Sequence, residues 1–202
     1  MRIIKGLLFL LLPLWVVMAS LKQETRPTSS GIMINIQPFK DLPDSCVNYV
    51  VKRLKTIYPN ITLKTAIPIS KQAYYKPRNR YRADSLIRIL GRTTPAGEVT
   101  IGITSKDISD TKDQYPDWGV MGLGFCPGNA CVVSTYRLSK KNLLDQLFKV
   151  AIHELGHTQG LPHCPVKYCF MQDAEGKNST DSETDFCPKC KALLRSKGWK
   201  IE

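Results

Sequence analysis

The densest chemistry in this chain of 202 residues lies in the stretch AIHELGHTQGLPHC, from Ala151 to Cys164. His153 and His157 stand four residues apart, the spacing that projects two imidazoles from one face of an α-helix. Nitrogens so placed can share one tetrahedral zinc, and Glu154 lies beside them within reach of a water at that metal. Gly160 falls where the helix must end if the chain is to fold back, and glycine accepts the left-handed conformation that ends it. Pro162 stops the helix from resuming, so His163 can come round as a third nitrogen ligand with a fourth position left open. The chain holds only 3 histidines, and all of them occupy these positions, which weighs against ordinary helix histidines. The chemistry implied is zinc-dependent hydrolysis, with Glu154 as general base and the zinc polarising a scissile carbonyl.

A second ligand set begins at the residue after the third histidine. Cys164, Cys169, Cys187 and Cys190 form a C-x4-C-x17-C-x2-C pattern, two close pairs across a loop, which suits a tetrahedral thiolate zinc site. Two other readings stay open: a pair of disulfides in an oxidising compartment, and a redox-active Cys187-Pro-Lys-Cys190 at a helix start. Cys126 and Cys131 stand apart from this set and could face each other across a hairpin to close a disulfide. Cys46 is left over, as a buried hydrophobe.

The pattern HExxHxxGxxH resembles the metzincin signature, and the residues after it narrow the likeness. His163-Cys164, Cys169-Phe-Met171 and Cys187-Pro-Lys-Cys190 resemble the archaemetzincin family. The segments YYKPRNRYRADSLIRIL, IGITSKDIS and VMGLGF…CVVSTYRLS are similar to the same family, so the resemblance runs from about Ile32 to Leu194. It implies a compact single-domain α/β/α metzincin-like core with a mixed sheet and an active-site helix. It also implies a catalytic zinc on His153, His157 and His163 with a methionine beneath it, which Met171 matches. A second, structural zinc on Cys164, Cys169, Cys187 and Cys190 would hold the C-terminal segment.

The elements that must position these residues are legible in outline. Ile32 to Pro38 alternates as a strand, and Val47, Val50, Val51, Leu54 and Ile57 recur at the helical period, with Asp44 or Ser45 as N-cap. Ile61 to Ile69 reads as a second strand, Arg82 to Leu90 as a helix, and Glu98 to Ile103 as a third strand. WGVMGLGF and CVVSTYRL read as the arms of a hairpin, and GVMGLG is the candidate edge strand for an extended peptide substrate. A helix capped by Ser139 runs through Leu143, Leu144, Leu147, Val150 and Ile152 into the histidines. A last short helix from Cys187 is closed by Gly198. The whole predicts an α/β domain with a mixed sheet over residues 32–202.

Composition bounds what this domain can be. With 43% hydrophobic and 23% charged residues the chain is an ordinary globular protein, neither fibrous nor disordered beyond its first thirty residues. An excess of 29 basic over 17 acidic residues gives a formal charge of +12, but no nucleic-acid motif accompanies it. The basic run Lys76-Pro-Arg-Asn-Arg-Tyr-Arg82 reads as a solvated approach to the helix after it. Met1 to Lys5 is a short basic region, and Gly6 to Leu21 carries no charge and is short for a membrane span. Residues 1–20 therefore read as a signal peptide or an uncleaved N-terminal anchor, and 21–31 as a linker. The expectation is an exported zinc metallopeptidase, secreted or periplasmic, or else membrane-anchored through its N-terminus, that cleaves a peptide or protein substrate. A monomer is expected, with two zinc ions, no nucleic-acid partner, and a membrane contact only through an uncleaved N-terminal segment. The alternative is a non-catalytic zinc module that recognises peptides or a partner on the same fold.

Overall fold

Strand residues that alternate between two apolar faces divide the core into two halves. The computed structural model describes residues 31–202, so the expected signal peptide or anchor and all of the linker except Gly31 lie outside the described residues. Five strands, β1 (Met33–Pro38), β2 (Ile61–Leu63), β5 (Glu98–Thr104), β8 (Gly122–Gly124) and β9 (Ala130–Ser134), form one sheet in the order β2-β1-β5-β9-β8. The first four are parallel and β8 runs antiparallel to β9, which makes the sheet mixed and leaves β8 at its edge. Three helices cover it: α1 (Asp44–Ile57), α2 (Ala83–Thr93) and α3 (Leu143–Thr158), while α4 (Pro188–Ser196) closes the C-terminal region.

Side chains two apart on a strand share a face. Ile34, Ile36, Ile101, Ile103, Cys131 and Val133 are buried in one cluster with Val47, Val50 and Leu54 of α1 and Leu147, Ile152 and Leu155 of α3. Ala130 and Val132, the alternate residues of β9, join Leu86, Ile87 and Leu90 of α2 in the other. This is the expected α/β/α layering. The active-site helix α3 is buried around most of its girth, so its histidines are carried on a rigid element. Among the described residues no helix is long and apolar enough to cross a membrane.

A second sheet was not foreseen. β3 (Tyr74–Tyr75), β4 (Arg80–Arg82), β6 (Ile108–Lys112) and β7 (Tyr115–Val120) pair in that order. β7 runs almost directly into β8, so one stretch of chain links the two sheets. The basic run is solvated only in its first half: Lys76 to Asn79 are exposed, whereas Arg80 to Arg82 are half-buried in β4. Arg80 contacts Asp107 at 3.1 Å and Asp117 at 3.5 Å, and Arg82 contacts Asp84, Asp110 and Asp117. β3 and β4 are too short to show periodicity, and of the acidic partners only Asp84 is near in sequence.

Three boundaries also differ. The strand expected over Ile61 to Ile69 ends at Leu63, after which only a bridge between Phe39 and Ile67 remains. Pro43 stands at the N-cap of α1, placing Asp44 and Ser45 inside its first turn. Asn142 stands at the start of α3 in place of Ser139, whose N–H donates to Gln146 Oε1 at 2.8 Å. Gly198 closes the last helix as expected, with φ of 87°.

Gly102 on β5 shows how tightly the α2 face is packed. A Cβ there would lie 2.7 Å from Leu90 Cδ1 and 3.1 Å from Phe39 Cε2. Gly102→Val is expected to destabilise the zinc-loaded protein by about 1–3 kcal/mol through overpacking. The urea unfolding midpoint at fixed zinc concentration measures it.

Candidate active site and metal centres

The last turns of α3 bring the histidine motif together as its spacing requires. His153 Nε2 and His157 Nε2 are 3.0 Å apart, and the ring centroid of His163 lies 5.3 Å and 4.8 Å from theirs. One ligand nitrogen from each falls within 4.8 Å of the other two. The chain turns back after α3 at Gly160, whose φ of 94° is the left-handed conformation expected of it.

The remaining ring nitrogens of two histidines are committed to backbone. His153 Nδ1 lies 2.6 Å from the Phe170 carbonyl and His157 Nδ1 lies 2.7 Å from the Leu161 carbonyl. A carbonyl can only accept, so each Nδ1 carries its proton and each Nε2 presents a lone pair inward. His163 Nδ1 lies 3.4 Å from Asp173 Oδ2 at the exposed side of the cluster. Burial, and then the neighbouring His157, hold the His153 pKa down to about 3, which keeps its imidazole neutral. Burial lowers His157 as well. Neutral imidazoles with inward lone pairs are the donor set zinc takes, and a Zn–N bond of about 2.0–2.1 Å would set ligand nitrogens about 3.3 Å apart. The His153–His157 spacing of 3.0 Å fits it.

Glu154 is 6% exposed and lines a cleft of about 620 Å³ together with the three histidines. Burial pushes its carboxyl up to about 8 in the absence of a neighbouring cation. The edge strand β8 closes over it. A Cβ on Gly122 would fall 2.5 Å from Glu154 Oε1, and one on Gly124 would fall 2.8 Å from the Glu154 carbonyl oxygen. Glycine is required here for close approach, not for turn geometry. Met171 is fully buried under the same helix, and a Cβ on Gly156 would fall 2.5 Å from its sulfur. Met171 thus contacts α3 at Gly156, one residue before His157.

Cys164, Cys169, Cys187 and Cys190 form the second cluster, with sulfurs within 4.8 Å of one another. All are free thiols, and Cys164 Sγ lies 3.7 Å from Cys187 Sγ. A tetrahedral site with Zn–S of about 2.3 Å would set its sulfurs about 3.8 Å apart. The sulfur spacing fits such a site, and no disulfide joins the four. Burial raises the Cys187 thiol, but hydrogen bonds from the Cys190 backbone and from the other thiols outweigh it and bring it down to about 7. One of the four is thus primed to ligate as thiolate.

Cys126 and Cys131 are not bonded to each other. Cys131 pairs in register with Gly124 and points into the core, whereas exposed Cys126 turns toward the Leu161 carbonyl oxygen at 3.3 Å. Strand register separates them, because Cys126 lies beyond the end of β8. Cys46 is buried in the core as expected.

A family model of peptidase family M54 matches residues 30–196. The chain belongs to peptidase family M54, the archaemetzincins. The archaemetzincin of Haloquadratum walsbyi is 30% identical over 177 residues, covering 81% of this chain and 99% of that protein. The crystal structure of the archaemetzincin from Methanopyrus kandleri superposes with a TM-score of 0.70 at 28% identity, covering 84% of this chain and 97% of that one. That of Archaeoglobus fulgidus, crystallised with malonate, gives a TM-score of 0.69 at 27% identity, covering 80% and 99%. This archaemetzincin is accordingly a zinc metallopeptidase, and the mixed α/β domain expected from its sequence is present.

Some contributors to the site had no signal in the sequence. The Phe170 and Leu161 carbonyls that orient two histidines are backbone atoms, which residue types do not reveal. Asp173 and Glu183 lie in a polar stretch that reads as loop, yet both line the cleft. Arg137, also on the cleft wall, lies across Gly119 and pairs with Asp107 at 2.8 Å.

The closeness of β8 to Glu154 has a measurable consequence. In zinc-loaded protein, Gly122→Ala is expected to displace the carboxylate and lower peptide turnover by about 10–100-fold, the scale of a misplaced catalytic group. Zinc content measured alongside should stay at the wild-type value.

Proposed function

We propose that this archaemetzincin hydrolyses peptide bonds with Glu154 as general base and a catalytic zinc held by His153, His157 and His163. The observation that carries the proposal is the placement of Glu154, a buried carboxylate on the cleft wall beside three converging imidazoles. Zinc bound there supplies a Lewis acid that polarises a carbonyl and lowers the pKa of water from about 15.7 to about 7. The Glu154 carboxylate takes a proton from the attacking water and later returns it to the leaving amine. The peptide lies along β8, whose outer edge has no partner in the five-stranded sheet, and bonds to it as an added strand. Gly122 and Gly124 bring that strand close enough to hold the scissile bond over Glu154. Met171 supports the helix from below.

Cys164, Cys169, Cys187 and Cys190 would hold a second, structural zinc. In this reading His163 and Cys164, neighbours in sequence, serve different metals. Residues 32–202 act as one monomeric peptidase domain, and residues 1–20 export it or anchor it to a membrane. The support for export is the basic start and the uncharged run from Gly6 to Leu21.

Glu154→Gln is expected to keep zinc at the wild-type content and to lower hydrolysis of a peptide library by about 10²–10⁴-fold, the usual contribution of a general base. Undiminished turnover would contradict the role given to Glu154.

Metal analysis with thiol titration tests the two centres. Two zincs per chain are expected, with thiols of the cluster reacting only after chelation. Cys187→Ser should lose the structural zinc and weaken the histidine site by about 10–100-fold in affinity, as loss of supporting contacts does elsewhere. Unchanged affinity at the histidines would refute the coupling.

A further inference from the structure

The cleft continues past Glu154 toward the start of α3, where it meets a carboxylate that hydrolysis does not use. Glu183 is 4% exposed and lines the cleft with Val150, Asn178 and Thr180. Val150 precedes Glu154 by one helical turn on α3. Gln146, one turn earlier, binds the loop that carries Glu183, accepting from Asn178 at 2.9 Å and donating to Asp181 at 2.8 Å. With a rise of about 5.4 Å per turn, this arm lies about one to two turns along the helix from Glu154.

The charge of Glu183 is poorly matched by the protein itself. Ser179 Oγ donates to its Oε1 at 3.0 Å. The nearby ammonium of Lys149 is committed elsewhere, to Asp145 at 2.9 Å and to the Thr180 carbonyl at 2.9 Å. Among the described residues Glu183 forms no ion pair. Burial accordingly raises its carboxyl to about 7, with the Ser179 hydrogen bond and Lys149 only partly offsetting it. An apolar wall at Val150 and a carboxylate at the end of the arm match a side chain with a hydrocarbon stem and a terminal cation.

Resting on the peptidase reading of this site, we propose that Glu183 is a specificity-determining residue whose carboxylate receives a lysine or arginine side chain of the peptide substrate. The incoming cation supplies the partner that the fold withholds. A neutral side chain of the same length leaves the carboxylate buried and unpaired, which disfavours it.

The test uses zinc-loaded protein and peptides that differ at a single residue, lysine against norleucine, scanned across the positions flanking the cleaved bond. At one position wild type is expected to favour lysine by about 10–100-fold in kcat/KM, a range typical of a desolvated charge pair. Glu183→Gln, which keeps an acceptor for Ser179, should bring that ratio close to one, and Glu183→Lys should turn the preference toward glutamate. Glu183→Asp keeps the charge with a shorter reach and should move the preference from lysine toward arginine. A wild-type ratio near one at every position, or a ratio unaltered in Glu183→Gln, would overturn the proposal. Binding of the same peptides to Glu154→Gln protein, followed by fluorescence anisotropy, reads the preference without turnover. Absent hydrolysis by wild type would count against the peptidase reading, whereas equal binding of the two peptides would count against Glu183.

Discussion

The site depends on the short run of chain from His163 to Met171, which is held at both ends by the cysteine cluster. Cys164 follows His163 directly, and Cys169 precedes Phe170, whose carbonyl holds His153 at 2.6 Å. The Cys164 N–H donates to the Met171 carbonyl at 2.8 Å, which closes this run on itself. One segment thus sets the third histidine, orients the first, and seats the methionine beneath the helix. A metal on the four thiols would cross-link it to Cys187 and Cys190 at the start of α4, reinforcing the packing of Phe170 on Phe186 and of Met171 in the core.

On the opposite side of the cleft the constraint is steric. The glycines of β8 have no side chain to hold the strand away from Glu154, so the edge of the sheet rests almost on the carboxylate. Burial of Glu154 and access for a substrate strand then arise from the same contact. The price is intolerance of any side chain at Gly122.

The second sheet explains how β8 reaches that position. β7 feeds into β8, and the sheet containing β7 is tied by a connected set of arginines and aspartates: Arg80 and Arg82 from β4, Asp107, Asp110 and Asp117, and Arg137 across Gly119. Most of these side chains are largely removed from solvent, where removing one partner would strand another charge. The network orients the strand that the cleft needs, from residues that read as surface charge when met in order along the chain.

What the sequence determined by itself was whatever rests on local spacing. The helical period placed His153 and His157 on one face with Glu154 beside them, Gly160 ended the helix, and the four-cysteine pattern marked a compact thiolate cluster. Strand alternation in Met33–Pro38, Glu98–Thr104 and Ala130–Ser134 was enough for the layered core. What tertiary structure alone decided was everything resting on atoms without a sequence signature or on partners distant in the chain. The carbonyls that fix the histidine tautomers, the register that parts Cys126 from Cys131, the pairing of Arg80 with Asp107, and the burial of Glu183 beside α3 are of this kind. Periodicity reports which way a side chain points from its own element; only the packing of elements decides what it meets there.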